Sequence, residues 1–131
     1  MIVVDTNIIG YLYLSGKRSG QSEELLKKDS GWCAPVLWRS EFQNVLATHF
    51  HQERLKLEDA LQIAKEADSL MEGREFEVTS SAVLRLAAAS GCSAYDCEFV
   101  ALAMDLDVPL ITVDKQILKR FPDVAIELGK Y

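Results

Sequence analysis

Short apolar runs that alternate with helical segments constrain the fold of this 131-residue chain more than any other feature. Residues 2–4 form a β-branched run, residues 109–113 form a second apolar run, and both predict buried strands. Weaker strands are predicted at 31–34, 76–78 and 124–126. Apolar strands alternating with helices are typical of a parallel sheet covered on both faces. The sequence therefore predicts the α/β class, as a three-layer α/β/α sandwich with a mainly parallel sheet.

Helices fill the segments between these strands. Ser22 is assigned as a possible cap of the second helix and Pro35 as the start of the third. Gly73 and Gly91 mark two helix ends. No repeat or linker divides the chain, so one domain over residues 1–131 is expected. The helices are predicted at 6–14, 22–28, 35–52, 56–71, 80–89, 94–106 and 114–120.

Composition narrows the class of protein. The chain is 49% hydrophobic and 26% charged, as in ordinary globular domains. No apolar run approaches the roughly 20 residues of a membrane span, so no membrane partner is expected. The three cysteines have no metal-site spacing and are expected to be small core residues in a reducing compartment. These observations favour a cytoplasmic protein.

Two acids follow the clearest strands. Asp5 comes directly after the first strand, and Asp114 ends the fourth. In sheets of this class, ligands bind beyond the carboxyl ends of the strands. Each acid is also placed to cap the following helix, and the two roles are compatible. Position at a strand end alone therefore does not decide between a ligand-binding acid and a helix cap.

Glu41 interrupts the apolar edge of the third helix. It lies in line with Leu37 and Val45 at four-residue spacing. An unpaired carboxylate on a face that should be buried is costly. The structural alternative is an ion pair with Arg39 or Arg85.

Asp96 repeats this pattern in the sixth helix. Phe99 and Ala103 follow it on the same face, which places Asp96 toward the core side. Capping is the alternative, but Ser93 is the better candidate for that role. Glu98 points roughly the opposite way and is expected to face solvent.

Convergence of these acids would require a cation, since like charges in one site repel strongly. A ligand set made only of oxygens favours a hard ion such as Mg²⁺ or Mn²⁺. Such a site can activate water and stabilise a phosphodiester oxyanion during in-line displacement.

At this point the residues resemble a known family, the PIN-domain proteins, and especially the small VapC-type toxins of toxin–antitoxin pairs. Each matching motif alone is weak, but their order and spacing span nearly the whole chain. The motifs are IVVDTN at 2–7, SEFQNVL at 40–46, SAYDCEFVALA at 93–103 and PLITVD at 109–114. Cys97 departs mildly from the alanine that is frequent there.

The resemblance implies an endoribonuclease that depends on Mg²⁺ or Mn²⁺. By that resemblance Asp5 and Asp96 are direct metal ligands, and Glu41 ligates or positions the attacking water. Asp114 serves a second metal or acts through water. Thr112 matches a hydroxyl position that supports the site. The neighbours that orient Asp5 are taken to be Thr6 and Asn7.

The resemblance also implies partners, namely an RNA substrate, a homodimer and a cognate antitoxin whose tail crosses the active-site groove. A formal net charge of −6 is unusual for a nucleic-acid binder, although bound metal would reverse the local field. The acidic balance suits a basic antitoxin. The cations that are candidates for phosphate contacts are Lys17, Arg18, Lys27, Lys28 and Arg39.

Three other functions compete with this one. A haloacid-dehalogenase-type phosphatase also starts with a strand-end aspartate but needs a second one two residues later, where this chain has Asn7. A zinc enzyme is disfavoured because His49 and His51 point different ways on a helix. A PIN-like module that only binds RNA or protein is typically marked by missing acids, and here all four are present.

Overall fold

The computed structural model describes all 131 residues as one five-stranded, entirely parallel sheet flanked by helices. The strand order is β3-β2-β1-β4-β5. This architecture confirms the predicted α/β sandwich. The strands are Ile2–Val4 (β1), Trp32–Pro35 (β2), Glu75–Phe76 (β3), Leu110–Thr112 (β4) and Ala125–Glu127 (β5).

Seven helices connect these strands. Two of them end in the left-handed conformation, at Gly91 (φ 75°) and at Asp107 (φ 54°). Glycine carries no penalty at such an end, whereas aspartate tolerates it at some cost. The helices are Thr6–Tyr13 (α1), Ser19–Lys28 (α2), Trp38–His51 (α3), Leu57–Met71 (α4), Ser80–Ser90 (α5), Ala94–Leu106 (α6) and Lys115–Arg120 (α7).

The chain changes direction across the sheet between β1 and β4. From β1 it proceeds outward to β2 and β3, and from β4 it proceeds the other way to β5. Helix α1 packs on α2 and α3, and α3 packs on α4, whereas α5 packs on α6. Helices that follow β1 and β4 therefore leave the sheet in different directions, which opens a crevice beyond the ends of these two strands.

Two of the local predictions are wrong. Pro35 is the last residue of β2 and not the start of α3, because Val36 still donates its N–H to the carbonyl oxygen of Phe76 at 3.0 Å, as in a strand ladder. Ser22 lies inside α2, and its buried hydroxyl donates to the carbonyl oxygen of Ile8 at 2.9 Å. Tertiary packing decided both positions, since each segment finds its hydrogen-bond partner in another element.

The core lies between the sheet and the helices. All of β1 is fully buried, as are Trp32 and Trp38. The three cysteines are buried free thiols, which confirms their predicted place in the core. None of the helices is both long and apolar enough to cross a bilayer.

Candidate active site

Asp5 stands at the centre of the crevice and is held on both of its oxygens. It follows β1 directly, and its N–H donates to the carbonyl oxygen of Ile111 on β4 at 3.1 Å. Oδ1 accepts from the N–H of Thr6 at 2.8 Å, which caps α1. Oδ2 accepts from the hydroxyl of Thr112 at 2.8 Å. The predicted capping role and a place in the crevice therefore coexist.

Thr112 links the two strand-end acids. It is completely buried at the end of β4, and its Oγ1 accepts from the N–H of Asp114 at 3.0 Å while donating to Asp5. Asp114 caps α7 through Oδ1, which accepts from the N–H groups of Gln116 and Ile117 at 2.9 and 3.0 Å. Its Oδ2 has no hydrogen-bond partner within the protein and is available to a ligand.

Glu41 reaches the crevice from α3 and is fixed by α1. Its Oε1 accepts from the hydroxyl of Thr6 at 2.7 Å, and Thr6 is itself 4% exposed. Thr6 therefore touches two acids, Asp5 through its backbone and Glu41 through its side chain. The predicted alternative, an ion pair of Glu41 with Arg39 or Arg85, is not formed; Arg39 instead pairs with Glu75 and Asp68.

Asp96 enters from the opposite helical layer, in the first turn of α6. Ser93 caps that helix, because its hydroxyl accepts from the N–H of Asp96 at 3.1 Å. The competing cap position is thus taken by Ser93, as predicted. The carboxylate of Asp96 is half-buried and free of any ion pair.

The acids influence one another electrostatically. Burial raises the pKa of Asp5 from 3.8 to about 6, and the charges of Glu41 and Asp96 add to that rise. Burial, followed by the charge of Asp96, raises the pKa of Glu41. Burial, followed by the charge of Asp114, raises the pKa of Asp96. Each of these carboxylates thus lies near enough to another to disfavour its ionisation, and no cationic side chain offsets this.

Glu98 was predicted to face solvent, and this is wrong. It is half-buried, burial raises its pKa, and its charge contributes to the raised pKa of Glu41. The reason is that α6 buries a continuous run of residues, 99–103, and so meets protein on more than one side. The apolar residues on every side of α6 indicated that this helix is surrounded by other elements. An acid at position 98 would therefore be partly buried.

Asn7 takes a different place from its neighbour Thr6. Its side chain is exposed and makes no hydrogen bond to Asp5. It lines a groove between α1 and α3, together with Val45 and His49 of α3.

The chemistry of this donor set fits a hard divalent cation. The candidate ligands are carboxylate oxygens, they are partly desolvated, and no Lys or Arg neutralises them. Their positions do not form a closed chelate, since no group of three or more His, Cys, Asp or Glu side chains surrounds one point suited to an ion. Mg²⁺ retains several waters in such open sites. The four-acid metal cluster accordingly stays a prediction.

Comparison with known proteins places this chain in a family. The family model for the PIN domain matches residues 2–124. The chain is 29% identical over 125 residues to a protein named Ribonuclease VapC3 from Pyrobaculum aerophilum, covering 92% of this chain and 95% of the relative.

Solved structures show the same fold. The crystal structure of PAE2754 from Pyrobaculum aerophilum superposes with a TM-score of 0.78 at 21% identity, covering 98% of this chain and 90% of the other. A toxin–antitoxin complex from Klebsiella pneumoniae superposes with a TM-score of 0.69 at 15% identity, covering 96% of each chain. With the family model matching nearly the whole sequence, this chain belongs to the PIN-domain family.

Proposed function

We propose that this protein is an endoribonuclease that depends on Mg²⁺ or Mn²⁺ and hydrolyses RNA phosphodiester bonds at Asp5, Glu41, Asp96 and Asp114. The observation that carries the proposal is the group of partly buried carboxylates at the β1–β4 crevice, where burial and neighbouring acids raise the pKa of Asp5, Glu41 and Asp96 and no countercharge is present. Perturbed acids of this kind cluster at functional sites. The similarity to a protein named as a ribonuclease supports the choice of RNA.

The hydrogen bonds of each acid indicate its role in the proposed reaction. Asp5 and Asp96 are the proposed direct ligands, and when bound the cation would supply the Lewis acidity that polarises a phosphodiester oxygen. Glu41 keeps Oε2 without a protein partner, so this oxygen can accept a proton from the attacking water. Asp114 keeps Oδ2 free in the same way and serves a second cation or an ordered water.

The threonines hold these acids in position. Thr112 fixes the orientation of Asp5 and ties it to the backbone of Asp114, while Thr6 ties Asp5 to Glu41. Supporting hydrogen bonds of this kind set the orientation of metal ligands. We assign both hydroxyls to positioning and neither to chemistry.

We further propose that the protein acts as the toxin of a toxin–antitoxin pair, as a homodimer. One structural neighbour is described as a toxin–antitoxin complex, which supports an antitoxin partner. The net charge of −6 favours a basic antitoxin segment at the acidic crevice. The three free thiols suit the reducing cytoplasm, where such a toxin would meet its RNA.

Cleavage of RNA by the purified chain tests the proposal. We expect cutting of labelled single-stranded RNA in Mn²⁺ or Mg²⁺, none in excess chelator, and none by Asp96→Asn. The matched control is Asp105→Asn, which makes the same change at an exposed site farther along α6 and is expected to cut like the wild type. Mapping the cut sites on total cellular RNA would then identify the target.

A PIN-like module that binds without turnover is the alternative function. It predicts that the wild type binds RNA or antitoxin but cuts nothing in either metal, after any antitoxin has been removed. Equal cutting by Asp96→Asn and wild type would instead show that the site is assigned to the wrong residues.

A further inference from the structure

A groove of about 310 Å³ lies between α1, α3 and the loop that joins α1 to α2. Its α1 wall consists of residues at helical spacing, and its α3 wall carries Val45 and His49. The loop contributes its charged end through Lys17 and Arg18. The residues on the α1 wall are Asn7, Gly10 and Tyr11, with Leu14 directly after the helix end.

The groove lies along the same two helices that carry the candidate active site at their N-terminal ends. Glu41, Val45 and His49 follow one another at four-residue spacing along α3, so the wall that starts at Glu41 extends over about 12 Å of helix. On the other side, Asn7 is two residues from Asp5. A ligand that leaves the acid cluster between α1 and α3 therefore enters this groove.

The far end of the groove carries the cations that remain available for an anion. Among the five cations predicted for phosphate contact, Arg39 pairs with Glu75 and Asp68, Lys27 pairs with Glu24, and Lys28 donates to the carbonyl oxygen of Tyr131. Lys17 and Arg18 form no ion pair. In a chain with a net charge of −6, these two side chains are the cations available to bind a phosphate at the end of the groove away from the acids.

The walls of the groove between the acid cluster and the cations of the α1–α2 loop suit a base or a ribose. Tyr11 presents a ring with the guanidinium of Arg18 at 5.9 Å from its centroid, and Leu14 and Val45 add apolar surface. The Nδ1 of His49 lies 2.9 Å from the carbonyl oxygen of Val45 and so carries a proton, which leaves Nε2 as an acceptor in the neutral ring. Aromatic faces with nearby cations are how proteins bind single-stranded nucleic acid.

Gly10 forms the floor of the groove. A Cβ built on this buried glycine meets no atom within 4 Å, so the space above it is open. Its backbone is helical, which means that a larger side chain can be placed there without backbone strain. A side chain at this position would fill the groove and leave the acids untouched.

From these features we infer that the groove is the RNA-binding subsite beside the scissile phosphate. It seats one nucleotide of single-stranded RNA against Tyr11, with its backbone phosphate on Lys17 and Arg18. This inference rests on the proposed function for the identity of the ligand. Beyond that function, the inference specifies the path of the bound RNA. The RNA runs from the acid cluster along α1 and α3 to the α1–α2 loop.

The test is binding of a fluorescein-labelled, mixed-sequence single-stranded RNA to the full chain by anisotropy in Mg²⁺. All variants carry Asp96→Asn, so that the RNA stays intact. Gly10→Phe, which fills the groove, and the double change Lys17→Ala with Arg18→Ala are each expected to weaken binding by about tenfold or more. The double change should also lower the slope of log affinity against log salt by about 0.7 for each phosphate that is no longer bound.

Matched controls separate the groove from general effects. Gly20→Phe makes the same substitution in α2 outside the groove, where a Cβ also meets nothing within 4 Å. Lys65→Ala with Lys130→Ala removes the same amount of positive charge at two exposed lysines that do not line the groove. Both controls are expected to bind within about twofold of the parent. Far-UV circular dichroism verifies folding, and the loop variant gives a result even if Gly10→Phe does not fold.

RNA binding by both groove variants that equals the parent overturns the inference. If those variants also lose affinity for a co-expressed protein, the groove is a protein-docking site instead. If the wild type cuts RNA while the groove variants bind RNA like the parent, only this inference fails. If the wild type cuts nothing while the groove variants still bind RNA more weakly, only the proposed cleavage fails.

Discussion

Partly buried acids occur in two regions of this molecule, and their pKa values shift in opposite directions in the two. On β3, Glu75 accepts hydrogen bonds from the indole of Trp38 at 2.6 Å and from Arg39 at 2.6 and 3.0 Å. The hydrogen bond from Arg39 lowers the pKa of Glu75. At the β1–β4 crevice, burial and neighbouring carboxylates raise the pKa of Asp5 and Glu41, and no cation is near.

Under the proposed function, this difference separates an acid that serves the fold from one that serves the reaction. A carboxylate that is buried with its countercharge stabilises the native state, or at least costs it little. One buried among other carboxylates destabilises the metal-free protein, and its retention calls for a ligand that supplies positive charge. The chain places both kinds on or beside the same helix, α3, which carries Arg39 and Glu41 two residues apart.

The same substitution in the two regions gives the largest expected contrast. Glu41→Gln should lower RNA cleavage by more than about 100-fold, because even loss of a supporting group commonly costs roughly 10–100-fold. Glu75→Gln should leave cleavage within about twofold, since it lies outside the crevice. Steady-state cleavage of a labelled RNA by both variants provides the comparison. Equal losses of activity would mean that the two acids do not differ in role.

The buried hydroxyl of Thr112 gives the next largest effect. Thr112→Val keeps the shape but removes the donor to Asp5 and the acceptor for the N–H of Asp114, so cleavage should fall by about 10–100-fold. Thr112→Ser keeps the hydroxyl and should restore most of the activity. If valine and serine are equally active, Thr112 does not position Asp5.

The order of the two glutamine variants should be reversed when the free energy of unfolding, and not RNA cleavage, is measured. Glu75→Gln removes a paired charge and is expected to lower the free energy of unfolding by about 1–2 kcal/mol, with the exposed part of Arg39 limiting the loss. Glu41→Gln removes repulsion and is expected to leave the metal-free protein equally or more stable. Urea titration in chelator measures both. A less stable Glu41→Gln would indicate that this acid holds the fold together.

The pH dependence of the metal-free protein is the smallest of these effects. The pKa of Asp5 is 3.8 in its ordinary state and about 6 in the fold, so the folded state binds more protons between these values. Stability should therefore fall, by about 1–2 kcal/mol, as the pH rises from about 4 to 6, and then level off. Glu75, whose pKa is lowered, works in the opposite direction and loses its contribution only toward acid pH. Asp5→Asn should flatten the profile, and an unchanged profile would show that Asp5 is not the group responsible.

Much of the fold was predictable because its signals are local. The apolar β-branched run of β1, the cap at Ser93 and the left-handed Gly91 each determine structure within a few residues. Pro35 and Ser22 were misread because their roles depend on Phe76 and Ile8, which lie far away in sequence or in another helix. No local pattern reports such a partner.

The features of the candidate site also separate into those that local sequence patterns predicted and those that only the fold reveals. Helix periodicity indicated that Glu41 and Asp96 face inward, and strand ends located Asp5 and Asp114. The hydrogen bond from Thr6 to Glu41 spans 35 residues and that from Thr112 to Asp5 spans 107, so only the fold reveals them. Periodicity along one helix face also could not show that Glu98 approaches Glu41 from α6.

Calorimetric titration of Mn²⁺ into the metal-free protein tests the central claim most directly, namely that the uncompensated acids form one cation site. The wild type and Glu75→Gln are expected to bind Mn²⁺ alike, whereas Asp5→Asn and Asp96→Asn should each weaken binding by more than about tenfold. Binding should also release protons at about pH 6, because Asp5 is partly protonated there. Equal Mn²⁺ affinity in all four proteins, or no binding by the wild type, would contradict the account.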